Sequence, residues 1–89
     1  MTGHLQQARD ELEEAATSAD GDDVREDIRD TTDAFADYVR GDRQPDHAVL
    51  DEHLNTLRQA RTQAEGHTAA KLESALESTE AYRETIDQA

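Results

Sequence analysis

Histidine and acidic side chains are concentrated between residues 47 and 53, where they could bind a divalent cation. His47 and Asp51 are four residues apart, so a helix would place them on one face, and Glu52-His53 follows directly. Imidazole nitrogen and carboxylate oxygen are both common metal ligands. However, the segment has no His-x-x-x-His or Glu-x-x-His pair to bring two strong ligands together. We therefore predict no metal site and keep His47, Asp51 and His53 as candidate ligands only.

A second concentration of acids raises the question of calcium. It consists of Asp20, Asp22, Asp23, Glu26 and Asp27. A calcium-binding EF-hand loop needs acids at alternate positions, with glycine at about the sixth position and glutamate at about the twelfth. Gly21 comes too early for that pattern. We predict that this cluster caps a helix and attracts cations only weakly.

The sequence contains no catalytic constellation. Its serines, Ser18, Ser74 and Ser78, lack the closely spaced glycines of a nucleophile elbow. The four glycines are too scattered to form a phosphate-binding loop. The absence of cysteine excludes disulfides and thiolate metal sites. We predict a protein that is not an enzyme, with no catalytic residue and no cofactor.

Charge is the strongest compositional feature. The chain has 22 acids and nine bases, a net charge of −13, and every base except Lys71 is arginine. Because phosphate binding depends on basic residues, nucleic acid is not an expected partner. Disordered chains share this composition, but the regular apolar spacing described below argues against disorder. The composition instead favours a protein that works in molar salt, where the Debye length is about 3 Å and most of the repulsion among the acidic side chains is screened.

Membrane and export signals are missing from the sequence. No run of about 18 apolar residues is available to span a bilayer. The segment Met1-Thr2-Gly3-His4 lacks the basic-then-apolar order of a signal peptide. We therefore expect a cytoplasmic protein that does not associate with membranes.

The elements that position these side chains form two halves, hinged at residues 41–45. Gly41 suits the left-handed conformation just past a helix end. Pro45 disfavours helical geometry in the residue before it, and Asp46 can cap the helix that begins next. We predict a single all-α domain. It covers residues 1–89, in halves 1–40 and 46–89.

Apolar residues recur at steps of three and four in four stretches, and each stretch predicts an amphipathic helix. The first apolar phase is lost after Ala19 and resumes, displaced, at Val24. This shift predicts a turn at Asp20-Gly21, with Asp20 as the N-cap of the second helix. The second stripe continues through Val39. The helices are predicted near residues 4–19, 22–40, 47–65 and 67–88, paired as two antiparallel hairpins in a small four-helix bundle.

Either half could instead be one straight helix, since an interior glycine costs only about 1 kcal/mol. In the second half, the path from Ala64 through Thr68 to Leu72 passes Gly66 without a change of phase. Straight halves would be helices of about 40 residues and roughly 60 Å, too long to bury their apolar seams within one chain. This alternative predicts a long helical hairpin that pairs as a dimer.

The two halves also resemble one another in sequence. Residues 4–9 resemble residues 53–58, and residues 30–35 resemble residues 77–82, at offsets of 49 and 47. Duplication of one unit would explain this similarity, and so would a chance resemblance between two amphipathic sequences. Duplication predicts the same internal shape for both halves. The aromatic residues Phe35, Tyr38 and Tyr82 are expected to meet in the core, the alternative being an exposed anchor for a partner.

Three segments resemble a group of small acidic haloarchaeal proteins of unknown function. They are His53-Leu54 through Leu57-Arg58, Ala64-Glu65-Gly66 and Ala81-Tyr82-Arg83-Glu84-Thr85-Ile86. The resemblance extends over most of the chain. It implies a halophilic archaeal source and a helical fold, and it carries over no functional residue.

Apolar stripes at helical spacing and solvent-exposed charged residues are therefore the main features of the sequence. They favour a non-enzymatic structural or protein-interaction module that associates with itself or with another protein. The alternative function is divalent-cation binding or sensing through His47, Asp51 and His53.

Overall fold

A computed structural model describes residues 3–86 and shows an antiparallel four-helix bundle. The helices are α1 (His4–Ser18), α2 (Asp22–Arg40), α3 (His47–Gln63) and α4 (Gly66–Thr85). Each helix packs against the next, α4 packs back against α1, and within residues 3–86 no Cα atoms of diagonally opposite helices lie within 8 Å of each other. The radius of gyration is 12.1 Å, close to the roughly 12 Å expected of a compact chain of this length. The predicted all-α bundle of two hairpins is confirmed.

The predicted apolar seams form the core. Each helix contributes at least one leucine or isoleucine that is at most 2 % exposed: Leu12, Ile28, Leu54 and Leu72. Phe35 and Tyr38 are buried, and Tyr82 packs against the same core while half-buried. The expectation that the aromatic residues lie in the core is confirmed. Val39, assigned to the second seam, is 38 % exposed, because it lies one residue beyond Tyr38 and therefore about 100° further round α2.

Both internal turns are true breaks, so the long-hairpin alternative is excluded. The first separates Ser18 from Asp22, and the second separates Gln63 from Gly66. Gly66 has a φ of 58°, a left-handed backbone that glycine adopts without strain. α3 thus ends two residues before the predicted boundary, and residues 87–88 of the last predicted helix lie outside the described residues. Each half is a helical hairpin, as duplication requires.

The central connection follows local backbone rules. Gly41 has a φ of 85°, and its N–H donates to the carbonyl oxygen of Tyr38 at 3.2 Å. The N–H of Asp42 donates to the carbonyl oxygen of Asp37 at 3.0 Å. These two bonds form a Schellman motif, which satisfies carbonyl groups left open at a helix end. The predicted left-handed glycine is confirmed.

The two predicted N-caps have different outcomes. Asp46 caps α3, since its Oδ1 accepts a hydrogen bond from the Val49 N–H at 2.8 Å. Asp20 does not cap α2. The residue in the cap position is Gly21, and no side chain bonds to the first turn of that helix. Asp20 lies one residue further upstream, so that prediction was wrong by one position.

Candidate functional site

The three candidate metal ligands do not converge. His47 Nε2 lies 3.0 Å from the carbonyl oxygen of Ile86. Asp51 accepts two hydrogen bonds from the Arg83 guanidinium, at 2.8 and 3.3 Å. Both contacts join α3 to α4, whereas His53 points from α3 toward α2. Within residues 3–86, no group of three His, Asp or Glu side chains is placed to hold a metal ion.

His53 instead belongs to a small aromatic cluster with Tyr38 and Phe35. Its Nε2 lies 2.9 Å from the Tyr38 hydroxyl. Its ring meets Phe35 edge-on, with centroids 5.3 Å apart and an interplanar angle of 83°, a favoured aromatic geometry. Burial lowers the pKa of His53, and the positive charge of Arg43 lowers it further. The cluster therefore favours a neutral imidazole at the point where α2 and α3 meet.

The burial of His53 had a signal in the sequence. His53 lies four residues after Val49 and four before Leu57, so the apolar stripe of α3 passes through it. Its residue type suggested a ligand, while its position indicated a core contact. The structure follows the position.

The connection after α2 covers this end of the seam. The Arg43 guanidinium lies 5.4 Å from the centre of the Tyr38 ring, within the range of a cation–π contact. Arg43 also lies 3.8 Å from an Asp37 carboxylate oxygen. Burial raises the pKa of the Tyr38 hydroxyl, with Arg43 opposing that effect, so the phenol stays protonated at neutral pH. The α2–α3 seam is thus closed at its loop end.

The other end of the same seam is open. A cleft of about 600 Å³ lies between the two internal turns, where residues 19–24 face residues 63–65 and Thr68. A separate hollow of about 320 Å³ lies between α2 and α3 beside His53. Of the four pairs of neighbouring helices, α2 and α3 pack least extensively and α1 and α4 most extensively. The two hollows and the sparse packing define an open α2–α3 groove.

Acidic side chains line the α2 wall of this groove. Asp20 and Asp23 line the cleft, and Asp27 and Asp30 line the hollow. Steps of four and three residues place Asp23, Asp27 and Asp30 on one face of α2, Asp20 lies in the turn before the helix, and all four are exposed. On the α3 wall the lining residues are polar: Glu52, His53, Thr56 and Gln63.

Ion pairs join α4 to both of its neighbours, and none joins α2 to α1 or to α3 within the described residues. Across α3 and α4 the pairs are Asp51–Arg83 at 2.8 Å, Arg58–Glu80 at 3.1 Å and Arg61–Glu73 at 3.4 Å. Across α1 and α4, Lys71 lies 2.8 Å from Glu14. Across α2 and α3, the described residues form no ion pair.

One arginine of α2 lies at the cleft, and two lie elsewhere. Arg25 donates to the Ala19 carbonyl oxygen at 2.8 Å and pairs with Asp22, and both of these residues line the cleft. Arg29 lines a hollow between α1 and α2. Arg40 pairs with Asp37 at the end of its own helix. Asp22 is therefore neutralised by Arg25, whereas the other aspartates of the groove have no ion pair with a described arginine of α2.

These features define a small antiparallel four-helix bundle with one open, acid-lined groove. The chain belongs to a protein family of unknown function (DUF7553), whose pattern matches residues 1–85. No curated protein and no solved structure matches it. Membership agrees with the expected resemblance to a family of unknown function. No helix in the described range 3–86 is both long and apolar enough to cross a bilayer.

Proposed function

We propose that this protein is a non-enzymatic helical module that binds another protein. The observation that carries the proposal is the open α2–α3 groove. Of the four pairs of neighbouring helices, this one packs least extensively, and no ion pair crosses it within the described residues. A groove that is sparsely packed and has no ion pair across it is suited to contact with another protein.

The hydrogen bonds made by the buried hydroxyl groups support a function other than catalysis. The hydroxyls of Thr31, Thr32 and Thr79 each donate to the carbonyl oxygen four residues earlier in their own helix. Ser18 and Thr68 bond to each other at 2.7 Å between α1 and α4. These contacts stabilise helices and helix packing, and they leave the buried hydroxyls engaged within the fold.

A different protein suits the groove better than a second copy of this chain does. The apolar seams that could have driven dimerisation are buried within the bundle, and Val39 is the sole exposed large apolar side chain of residues 3–86. A second copy would also bring the same net charge of −13. Binding through polar and charged contacts is therefore the mode we propose.

We further propose that the protein acts in a cytoplasm of high salt. The net charge of −13 and the use of arginine for eight of the nine bases support this setting. Divalent-cation binding through His47, Asp51 and His53 gains no support from the geometry, because His47 and Asp51 contact residues on the α4 side while His53 contacts α2. Protein binding is thus the function that the site supports best.

The test is recovery of partners at native salt. The tagged chain is used as bait in about 2 M KCl, where the Debye length is below about 3 Å and nonspecific charge attraction is weak. We expect a discrete partner in fixed ratio, with an unrelated protein of equal net charge recovering none. Light scattering on the purified chain separates self-association from binding to another protein. A strictly monomeric chain that recovers no partner would contradict the proposal.

A further inference from the structure

We infer that the α2–α3 groove is a docking site for a basic amphipathic helix of a partner protein. This inference rests on the proposed function. It adds where the partner binds and which chemistry the partner brings.

The shape of the groove fits an elongated segment. Its closed end is formed by His53 against Tyr38 and Phe35, and its open end is the cleft between the two internal turns. On α2 the lining residues run from Asp22 to Thr31, which is about 14 Å along the helix. A partner helix of about two to three turns would match that length. The buried residues Val24 and Ala19 also line the cleft, so the partner would meet some apolar surface as well as carboxylates.

The arrangement of charge selects a basic partner. Asp23, Asp27 and Asp30 succeed one another at steps of four and three residues along α2, and Asp20 lies in the turn just before that helix. A helix with arginine or lysine at the same steps would bring one cation to each carboxylate. Arginine suits this best, because its guanidinium can bond both oxygens of a carboxylate. The α3 wall adds neutral polar groups, Thr56 and Gln63, and no competing positive charge from those residues.

The spacing of the carboxylates argues against smaller or anionic occupants. Asp23 and Asp30, the outermost of these carboxylates within α2, are seven residues apart, which is about 10 Å along the helix. One metal ion cannot bind carboxylates that far apart. Nucleic acid and a second copy of this chain both bring negative charge to a negative wall. A positively charged helix is the occupant whose length and charge both match.

The test uses a synthetic peptide of about 20 residues, or about 30 Å as a helix, with arginine at every third or fourth position and alanine and leucine elsewhere. A scrambled peptide of identical composition measures general charge attraction. Binding to the full chain is followed by calorimetry and by NMR chemical shifts in about 1 M KCl, where contacts at short range survive screening. We expect the periodic peptide to bind and to shift the resonances of α2 and α3 more than those of α1 and α4.

Two double variants then locate the site. Asp27→Asn with Asp30→Asn removes two carboxylates from the groove, and Glu77→Gln with Glu84→Gln removes two exposed carboxylates from α4. We expect the groove variant to bind the periodic peptide at least about tenfold more weakly than the wild-type chain does, because two close charge pairs at the interface are lost. The α4 variant should change its affinity less than about threefold, which is the expected size for distant, screened charges.

The remaining outcomes overturn the inference. Equal affinity for the periodic and scrambled peptides, or equal loss in both double variants, would show general attraction to an acidic surface. Failure of the periodic peptide to bind would also exclude the groove. The partner recovered at native salt provides the separate check. If the groove variant still recovers it in full, the docking site is wrong while the proposed function stands.

Discussion

The hydroxyl of Tyr38 lies 2.9 Å from Nε2 of His53, and this contact joins α2 to α3 at the loop end of their groove. Phe35 packs edge-on against the same imidazole. From this point toward the internal turns, the two helices enclose hollows lined by carboxylates and have no ion pair between their described residues. The Tyr38–His53 contact thus sets where the groove closes.

The first prediction concerns that hydrogen bond. Tyr38→Phe keeps the ring and removes the hydroxyl, which leaves a partly buried ring nitrogen without its partner. We expect the free energy of unfolding to fall by about 1–2 kcal/mol, the usual cost of such a loss. The measurement is urea denaturation at constant KCl concentration. Tyr82→Phe is the control, because the Tyr82 ring is only half-buried, and equal losses in both variants would show that the His53 contact contributes nothing.

The second prediction is a dependence of stability on pH. Burial, assisted by Arg43, holds the pKa of His53 below the ordinary value of 6.5, with Glu52 opposing the shift to a smaller degree. The unfolded chain therefore takes up a proton near pH 6.5 that the folded chain resists. The contribution of His53 to stability is complete above that pH, and it is lost as the pH falls below it.

This dependence is measured by urea denaturation between about pH 5 and 8, the range in which histidine titrates. His53→Gln should flatten the slope, and His67→Gln, at an exposed position of α4, is the control substitution. An NMR titration of the wild-type imidazoles gives the same answer without a variant. A His53 resonance that titrates above pH 6.5 would contradict the prediction.

The third prediction contrasts two glycines. Gly41 has a φ of 85°, and a Cβ built there meets nothing within 4 Å, so Gly41→Ala carries a backbone cost alone. We expect a loss of about 1–2 kcal/mol, the strain of a left-handed residue with a side chain. Gly21 has a φ of −91°, and its added Cβ would make an ordinary 3.9 Å contact with Val24.

Gly21→Ala should gain about 0.4–1 kcal/mol through the smaller entropy of the unfolded chain and lose a similar amount because alanine is a poorer N-cap residue than glycine. We therefore expect little net change in stability. Thermal melting followed by circular dichroism compares the two variants. Similar melting temperatures for both would show that the Schellman geometry after α2 does not constrain the chain.

The fourth prediction concerns salt. Helicity by far-ultraviolet circular dichroism should rise with KCl concentration, because salt screens the repulsion among the 22 acids. Asp27→Asn with Asp30→Asn should reduce this dependence more than Glu77→Gln with Glu84→Gln does. Both double variants remove two charges, but only the first pair lines the hollow together with Glu52. An equal reduction would mean that net charge alone, and not the groove, determines the response.

The helices and the core could be predicted from the sequence because both depend on local spacing. Leu12, Ile28 and Leu54 occupy the apolar stripe of their own helix, and any bundle would bury that stripe. The end of α2 and the start of α3 were also predictable, since Gly41 and Asp46 act through the backbone within a few residues. These features do not depend on which helices become neighbours.

The turn before α4 and the groove depend on information that spacing does not carry. The apolar path of the second half continues through Gly66, and the break there arises from a left-handed backbone at that residue. The acids of α2 were visible in the sequence, but not the helix that faces them. His53 was interpreted by its residue type, and its contact with Tyr38 exists only once α2 and α3 are adjacent.

The most direct test of the account measures the distance across the α2–α3 groove. The chain has no cysteine, so spin labels can be placed at Glu26→Cys with Gln59→Cys across α2 and α3, and at Thr17→Cys with Ala70→Cys across α1 and α4. The distances are measured by electron–electron double resonance as KCl falls from about 1 M to about 0.1 M, over which the Debye length grows from about 3 to about 10 Å. We predict that the α2–α3 distance lengthens and broadens while the α1–α4 distance stays constant. A constant α2–α3 distance, or equal broadening of both, would contradict the claim that this groove is the open side of the bundle.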